Sequence, residues 1–177
     1  MSQSFQIRRA QPLDANVLAE VHMESIRSIG VKFYAEEVVK EWAAPRDGIP
    51  YLNAMQSGQI FFVASSSSVV DGSILGFSSW RIEDARHRIA VYVSDRASRK
   101  GVGSALFQAA EEIARERGAR EIHVDASLAA VEFYLSQPPE RLNDSKGCGP
   151  FYRSAFEDHF NGSRLSSQSA GILSLEA

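Results

Sequence analysis

The sequence predicts an α/β (α+β) fold in which a mixed, mostly antiparallel sheet is flanked by helices. Between residues 59 and 93, three segments rich in β-branched and aromatic residues are separated by short polar connections, which is typical of an antiparallel meander. A glycine loop, a long amphipathic segment and another β-rich segment follow the third strand. Because strand, helix and strand in this order form a crossover, the sequence also predicts two parallel neighbouring strands.

The elements before the meander are a short strand and three helices. Residues 5–9 alternate around an apolar centre, as a strand does. Asp14 is a candidate N-cap for the helix that follows, whose apolar residues recur every three or four positions up to Gly30. Two shorter helices are predicted over residues 35–44 and 50–57.

The remaining regular elements come from the meander and the crossover. The three strands of the meander are predicted over residues 59–64, 73–80 and 88–93. The helix predicted over residues 102–118 has one apolar stripe and an opposite polar face, on which Glu111 and Arg115 form an i,i+4 pair. A strand over residues 121–126 and a short helix over residues 128–137 follow it.

Length and composition fit one domain over residues 1–177. The chain is 44% hydrophobic and has a net charge of -3, so it lacks the basic excess of a typical nucleic-acid-binding domain. Within residues 81–100, however, six basic residues stand against three acidic ones, a local charge of +3. This segment is either a solvated face or a docking site for an anion.

Several kinds of site, partner and location are not expected. Cys148 is the only cysteine, so the chain cannot form an internal disulfide or a cysteine metal knuckle, which suits a cytoplasmic protein. The four histidines lack metal-motif spacing, so no metal site is predicted. No segment approaches the ~18 apolar residues of a membrane span. We expect neither a membrane nor a nucleic acid as partner, and a homodimer stays open.

Residues 98–104 (Ser-Arg-Lys-Gly-Val-Gly-Ser) connect a predicted strand to the long helix. Glycines let a ligand approach the backbone, and the unpaired N–H groups of a first helical turn bind anions, so a phosphate or pyrophosphate is the expected ligand. The P-loop pattern is absent because Val102 follows Gly101, and the dinucleotide pattern is absent because Leu106 replaces its third glycine. An ordinary tight turn is the alternative.

Two segments resemble motifs of the GNAT superfamily of acetyl-CoA-dependent N-acetyltransferases. Residues 91–104 (VYVSDRASRKGVGS) resemble motif A, in which an LYVxP strand precedes [Q/R]xxGxG/A; Ser98 stands at the Gln/Arg position and Asp95 at the Pro position. Residues 127–134 (SLAAVEFY) resemble motif B, [N/S]xxAxxFY. The resemblance covers residues 5 to about 137 and implies the GNAT fold.

The resemblance implies acetyl-CoA as the cofactor. Val91 and Val93 would offer backbone groups to the pantetheine arm, and the amides of residues 99–104 would hold the pyrophosphate. The implied cofactor-binding residues are Val91, Tyr92, Val93, Ser98, Arg99, Lys100, Gly101, Val102, Gly103, Ser104 and Ser127. A bulky residue in place of Gly101 or Gly103 is expected to abolish CoA binding and to leave the fold largely intact.

The implied activity is N-acetyltransfer, in which a primary amine of a small molecule or peptide attacks the acetyl group directly. Tyr134 of motif B would be the general acid, because a phenol with an ordinary pKa near ~10 can protonate a thiolate; core packing is the alternative. Family members often place a base at the position of His87. An exposed histidine beside a charged turn needs no such role, and Glu83 and Asp84 are alternative bases.

His22, Trp42 and Trp80 are candidates for binding the amine acceptor. His22 lies on the apolar stripe of the first long helix, so a half-buried structural histidine is the alternative. Both tryptophans are also accounted for as core aromatics.

Residues 138–177 form an atypical C-terminal segment. Pro138 and Pro139 cannot donate ladder hydrogen bonds and the following residues lack alternation, so the closing hairpin is expected to be divergent, replaced by helix and coil, or lost. If the acceptor site were lost with it, the chain would be a non-catalytic CoA-binding or interaction domain instead of an active enzyme.

Overall fold

The computed structural model describes residues 5–67, 72–125, 130–137, 153–155 and 172–176. The strands are β1 (Phe5–Arg9), β2 (Ile60–Ser66), β3 (Ile74–Glu83), β4 (Arg86–Val93), β5 (Ile122–Asp125), β6 (Arg153–Ala155) and β7 (Ile172–Glu176). The helices are α1 (Ala15–Gly30), α2 (Glu36–Trp42), α3 (Ile49–Gln56), α4 (Val102–Glu116) and α5 (Val131–Leu135). Every element predicted before residue 138 is therefore present.

Within the described residues, seven strands form one sheet in the order β1-β2-β3-β4-β5-β7-β6. Strands β1 to β4 pair antiparallel with their neighbours, and β7 pairs antiparallel with both β5 and β6. β4 and β5 pair in parallel, because α4 carries the chain from one to the other as a crossover. The predicted mixed, mostly antiparallel sheet is confirmed.

The C-terminal residues contribute two strands. β7 lies between β5 and β6, with Leu173 opposite Val124 and Ser174 opposite Ala155. Of the three expected outcomes for the closing hairpin, loss and replacement by helix and coil are therefore wrong for residues 153–155 and 172–176, whereas a divergent hairpin agrees with the structure. Strands of three and five residues are too short to show the alternation on which a sequence-based assignment depends. Pro138 and Pro139 lie outside the described residues.

Helices cover both faces of the sheet. On one face, α1 and α3 pack on β2 and β3, and Leu18, Tyr51 and Phe77 are buried there. On the other face, α4 packs on β3 and β4, and Phe107 joins Trp80 in a second cluster. This two-sided burial follows from the strand period of two, which sends successive side chains to opposite faces.

Helix α4 buries a wider face than the sequence indicates. Glu111, predicted on the polar face, is only 4% exposed, and Phe107 and Ala110 are buried beside it. The helix contacts each strand from β1 to β4, so more than one stripe of its surface is covered. The predicted pair is nevertheless present, with Arg115 Nη2 lying 3.8 Å from Glu111 Oε2.

The connection between β3 and β4 is a two-residue turn. Asp84 and Ala85 both have positive φ, 50° and 61°, and Glu83 pairs with Arg86 across the turn. Two consecutive positive φ values define a type I′ turn, whose twist matches that of a hairpin. Ala85 adopts this conformation although it carries a Cβ, so it is a strained position.

Candidate functional site

The parallel pairing of β4 and β5 is short, and the edge of β4 beyond it, which we call the slot, has no described strand beside it. The pairing joins His87 to Ile122, Arg88 to His123 and Ile89 to Val124. β4 continues to Val93, so in the described part of the chain its last four residues extend beyond the pairing with β5. A strand edge of this kind offers N–H and C=O groups to a ligand.

Two observations show which backbone groups face the slot. The N–H of Ser94 donates to the carbonyl oxygen of Leu75 at 2.9 Å, and the carbonyl oxygen of Tyr92 approaches Gly76 so closely that a Cβ there would lie 2.8 Å from it. Residues 92 and 94 therefore direct their backbone groups at β3. Because alternate residues of a strand point in opposite directions, Val91 and Val93 direct theirs at the slot.

Tyr92, which the sequence places among the cofactor-binding residues, has another position. Its backbone faces β3, and its ring lies on the α1 face of the sheet, stacked on Phe77 at a centroid distance of 5.0 Å. On that face the Tyr92 ring also lies 4.1 Å from the imidazole of His22. Tyr92 therefore offers no backbone group to the slot, and this part of the prediction is corrected.

The glycine loop forms an anion-binding geometry beside the slot. Arg99 and Gly101 both have positive φ, 56° and 80°, with Lys100 between them. Alternation between the two hands of backbone conformation turns successive N–H groups toward one point, as in a nest. Gly101 is the N-cap of α4, so the first-turn N–H groups of residues 102–104 add the positive end of the helix dipole.

Glycine is required at the two loop positions for different structural reasons. A Cβ on Gly101 would meet nothing within 4 Å, so only its φ of 80° requires glycine. A Cβ on Gly103 would lie 3.0 Å from the ring of Phe133, which packs α5 against the first turn of α4. A bulky residue at Gly103 would therefore have to displace this ring, which is not required at Gly101.

The basic stretch 81–100 is divided between the two ends of β4. Arg81 and Arg88 lie near the β3–β4 turn and both contact the carboxylate of Glu83, at 3.3 and 2.8 Å. β4 then advances about 3.3 Å per residue, so these arginines lie roughly 20 Å from the glycine loop. Only the basic residues of segment 96–100 adjoin the anion site, where Lys100 Nζ donates to the carbonyl oxygen of Arg96 at 2.7 Å.

Tyr134 lies below the slot, in the apolar cluster on the α4 face. It is 3% exposed, and its ring is 5.7 Å from that of Phe107. The same cluster contains Ile89 and Val124, the last residues joined by the β4–β5 pairing. Phe133 is half-buried and packs against the same cluster and on Gly103.

His87 is the half-buried second residue of β4. The indole N–H of Trp80 donates to its Nδ1 at 3.3 Å, and burial lowers the pKa of the imidazole. A neutral ring that accepts at Nδ1 carries its proton on Nε2, so it has no free lone pair for another proton. Glu83 and Asp84, the alternative bases, lie still farther from the slot, at the turn before β4.

The three acceptor-binding candidates occupy three different places. Trp80 is 3% exposed in the cluster on the α4 face, with the Arg117 guanidinium 5.6 Å from its ring, so it does not line an acceptor pocket and this prediction is corrected. Trp42 is half-buried on α2 against the ring of Tyr34, at 4.8 Å. His22 lies on the α1 face of the sheet, against the ring of Tyr92 from β4.

The structure adds Tyr51 to this region. It lies on α3, is 8% exposed, and is joined to Nδ1 of His22 by a hydrogen bond of 2.5 Å. Burial raises the pKa of the Tyr51 hydroxyl to about 12, and burial together with the charge of Arg46 lowers the pKa of His22 to about 4. Both groups are therefore neutral at pH 7. The sequence did not predict this position, because it showed only a tyrosine within a short predicted helix.

Other predicted sites are limited to the described residues. Ser127 lies outside them. No three His, Cys, Asp or Glu side chains of the described ranges come together as a metal site. Among the described helices, none has the length and apolar character needed to span a bilayer.

The family model described as "Acetyltransferase (GNAT) family" matches residues 24–137. Among solved structures, a GCN5-related N-acetyltransferase from Rhodopseudomonas palustris, also described as a class-II aminotransferase, is 27% identical with a TM-score of 0.68, over 100% of this chain and 99% of that one. PaiA N-acetyltransferase from Thermoplasma acidophilum, in complex with coenzyme A, is 21% identical with a TM-score of 0.66, over 98% and 99%. A comparison with curated proteins finds no match.

Proposed function

Because the chain belongs to the GNAT family of acetyltransferases, and is therefore an acyltransferase, we propose that it moves the acetyl group of acetyl-CoA to a primary amine of a small molecule or peptide. One observation carries the proposal: the open edge of β4 at Val91 and Val93 leads directly into the anion-binding loop at the start of α4. Coenzyme A fits this arrangement, because its extended pantetheine arm matches the open strand edge and its pyrophosphate matches the anion-binding loop.

Bound acetyl-CoA supplies an activated acyl carbonyl. The backbone groups of Val91 and Val93 hold the pantetheine arm as a neighbouring strand would. The amides of residues 99–104 hold the pyrophosphate, where the positive φ of Arg99 and Gly101 directs them. The proposed fit is supported by the glycine N-cap, since no side chain there competes for the first-turn N–H groups.

The amine attacks the acyl carbonyl, and the bond from that carbon to sulfur breaks. We propose that the hydroxyl of Tyr134 donates its proton to the departing thiolate sulfur. Its place in the cluster of Ile89 and Val124 supports this role, because these residues mark where the β4–β5 pairing ends and the slot begins. Burial also keeps bulk water away from that proton transfer.

We propose His87 as the base, provided that its Nδ1 atom becomes available. The hydrogen bond from Trp80 must be released before Nδ1 can accept a proton from the amine. If His87 acts in this way, His87→Gln removes one limb of the pH profile of kcat/KM. An unchanged profile would instead mean that His87 only accepts the hydrogen bond that holds the buried Trp80 indole in place.

Thiol release from acetyl-CoA over a panel of primary amines tests the proposed function. We expect turnover by the native chain and a fall in kcat of roughly 100-fold for Tyr134→Phe, the usual size of a general-acid contribution. Tyr34→Phe, which removes a hydroxyl between α1 and α2, is the matched control. A thermal shift by CoA without turnover of any amine would instead identify a non-catalytic CoA-binding domain.

We place this reaction in the cytoplasm, where acetyl-CoA is available and where a chain with the single cysteine Cys148 stays reduced. The division of the basic stretch supports a small polyanion as the partner, since a nucleic acid would need a continuous basic surface. A homodimer is open to measurement by light scattering.

A further inference from the structure

Two residues of β3 touch both the slot strand β4 and the helix α4. Gly76 lies opposite Val93 in the pairing of β3 with β4. Ser78 lies opposite Val91 in the same pairing. Both β3 residues also contact Leu106, which lies one turn into α4. We call Gly76, Ser78 and Leu106 the α4 anchor.

The first contact of the α4 anchor is a hydrogen bond. Ser78 is fully buried, and its Oγ donates to the carbonyl oxygen of Leu106 at 2.7 Å. A carbonyl oxygen has two lone pairs, so this one can accept from Ser78 as well as from an N–H inside the helix. Hydrogen bonds are directional, whereas apolar packing is not. The bond therefore fixes the position of α4 along β3 more narrowly than packing alone would.

The second contact is a close approach at Gly76. A Cβ there would lie 2.8 Å from the carbonyl oxygen of Tyr92 and 3.2 Å from the Cα of Val93. It would also lie 3.1 Å from Cδ1 of Leu106. Two of these atoms belong to the backbone of β4 and the third belongs to α4. The missing side chain of Gly76 therefore lets both elements close on β3 at one point.

The α4 anchor connects the two parts of the CoA site. Val91 and Val93, whose backbone groups face the slot, are the register partners of its two β3 residues. The first residue of α4 lies about 6 Å before Leu106, at ~1.5 Å per residue, so the anchor also lies close to the anion-binding turn. The separation between the open strand edge and the anion site is therefore set where these contacts meet.

We propose that the α4 anchor holds the slot and the anion-binding loop at the separation that lets one CoA molecule occupy both, which makes Gly76 and Ser78 positioning residues for CoA. This rests on the proposed function. A ligand that binds two subsites at once gains affinity only while their separation matches its own length. Weakening the anchor should therefore reduce the affinity gained by joining pantetheine to the pyrophosphate, while each subsite by itself still binds.

Ser78→Ala tests the anchor by removing the hydrogen bond without adding volume. Calorimetric titration compares CoA with 3′-phosphoadenosine 5′-diphosphate, which lacks the pantetheine arm and reaches only the anion site. We expect the Kd for CoA to rise roughly 10-fold, a part of the gain from two linked subsites, and the Kd for the nucleotide to change less than about 2-fold. Ser79→Ala is the matched control, because Ser79 is the neighbouring buried serine on the opposite face of β3.

Gly76→Ala tests the close approach. Its Cβ forces the backbone of β4 away from β3, and a displacement of about 1 Å at a binding site can cost roughly 100-fold, so the Kd for CoA should rise more than in Ser78→Ala. Gly30→Ala is its control, since a Cβ there would lie 3.2 Å from a side-chain atom of Val39, away from β4. Thermal unfolding without ligand measures the loss of stability in each variant separately.

A loss of affinity confined to CoA in Ser78→Ala supports the proposal, even if Gly76→Ala fails to fold. Equal losses for CoA and the nucleotide would overturn it. So would a lower Tm with both Kd values unchanged, because the anchor would then have a structural role only. Failure of the native chain to bind CoA is a different result, which would refute the proposed function and this proposal with it.

Discussion

Gly101 and Gly118 stand at the two ends of α4 and form a matched pair for testing the anion site. Their φ values are 80° and 83°, and a Cβ on either would meet nothing within 4 Å. Alanine in the left-handed region costs about 1–2 kcal/mol, partly offset by about 0.5–1 kcal/mol from the lower entropy of the unfolded chain. Both Gly→Ala variants should therefore lose about 1 kcal/mol of unfolding free energy, or roughly 2–4 °C in Tm.

Their effects on CoA binding should differ. α4 is about 22 Å long at ~1.5 Å per residue, so Gly118 cannot contact a ligand at the first turn. In Gly101→Ala the loop relieves its strain by rotating φ, which turns the amides of residues 99–102 away from the pyrophosphate. Loss of one such charge-assisted hydrogen bond weakens binding by about 1.5–3 kcal/mol, at least ~10-fold in Kd.

Isothermal titration calorimetry with CoA and thermal unfolding without ligand measure the two effects separately. We expect equal losses in Tm and a weakened Kd for Gly101→Ala only. An unchanged Kd for Gly101→Ala, or an equal weakening by Gly118→Ala, would refute the assignment of the loop as the pyrophosphate site.

Three further variants test other parts of the structure. Gly103→Ala should lose up to about 2 kcal/mol of unfolding free energy in a urea titration, because moving the ring of Phe133 costs about 1–3 kcal/mol and alanine regains about 0.5–1 kcal/mol inside a helix; stability above that of the native chain would contradict this packing. Ala85→Gly should gain roughly 0.5 kcal/mol by the same titration, since glycine relieves a φ of 61°, and a lower midpoint would contradict the strain. Because burial lowers the pKa of His22 to about 4, the unfolded chain binds a proton between pH ~6.5 and ~4 that the folded chain does not. Unfolding free energy should therefore fall by up to about 3 kcal/mol over that interval as pH decreases, and His22→Gln should flatten the fall; parallel curves would contradict it.

The regular elements could be predicted because each has a local cause. The strand alternation in β2 to β4 and the stripe of α4 depend only on residues a few positions apart. The buried position of Glu111 could not be predicted from the sequence, because it depends on how many strands α4 crosses. The short strands β6 and β7 are held by pairing with β5, which no local pattern reports.

The candidate site was predicted where it is continuous in sequence. The loop geometry at Gly101 and the slot-facing backbone of Val91 and Val93 follow from one motif strand and the turn after it. The position of Tyr51 beside His22 depends on the packing of α3 against α1, and it was missed. The local charge of residues 81–100 predicted one basic site, but the structure divides these residues between the two ends of β4. A sum of charges along the chain does not include the length of that strand.

The short pairing of β4 with β5 divides the sheet into two blocks, β1 to β4 and β5, β7 and β6. Three residue pairs join them in the described part of the chain, from His87–Ile122 to Ile89–Val124. A ligand bound along Val91 and Val93 would act as a further strand across this seam. The second block should then gain protection from amide exchange when CoA binds, so the substrate would complete the sheet that holds it.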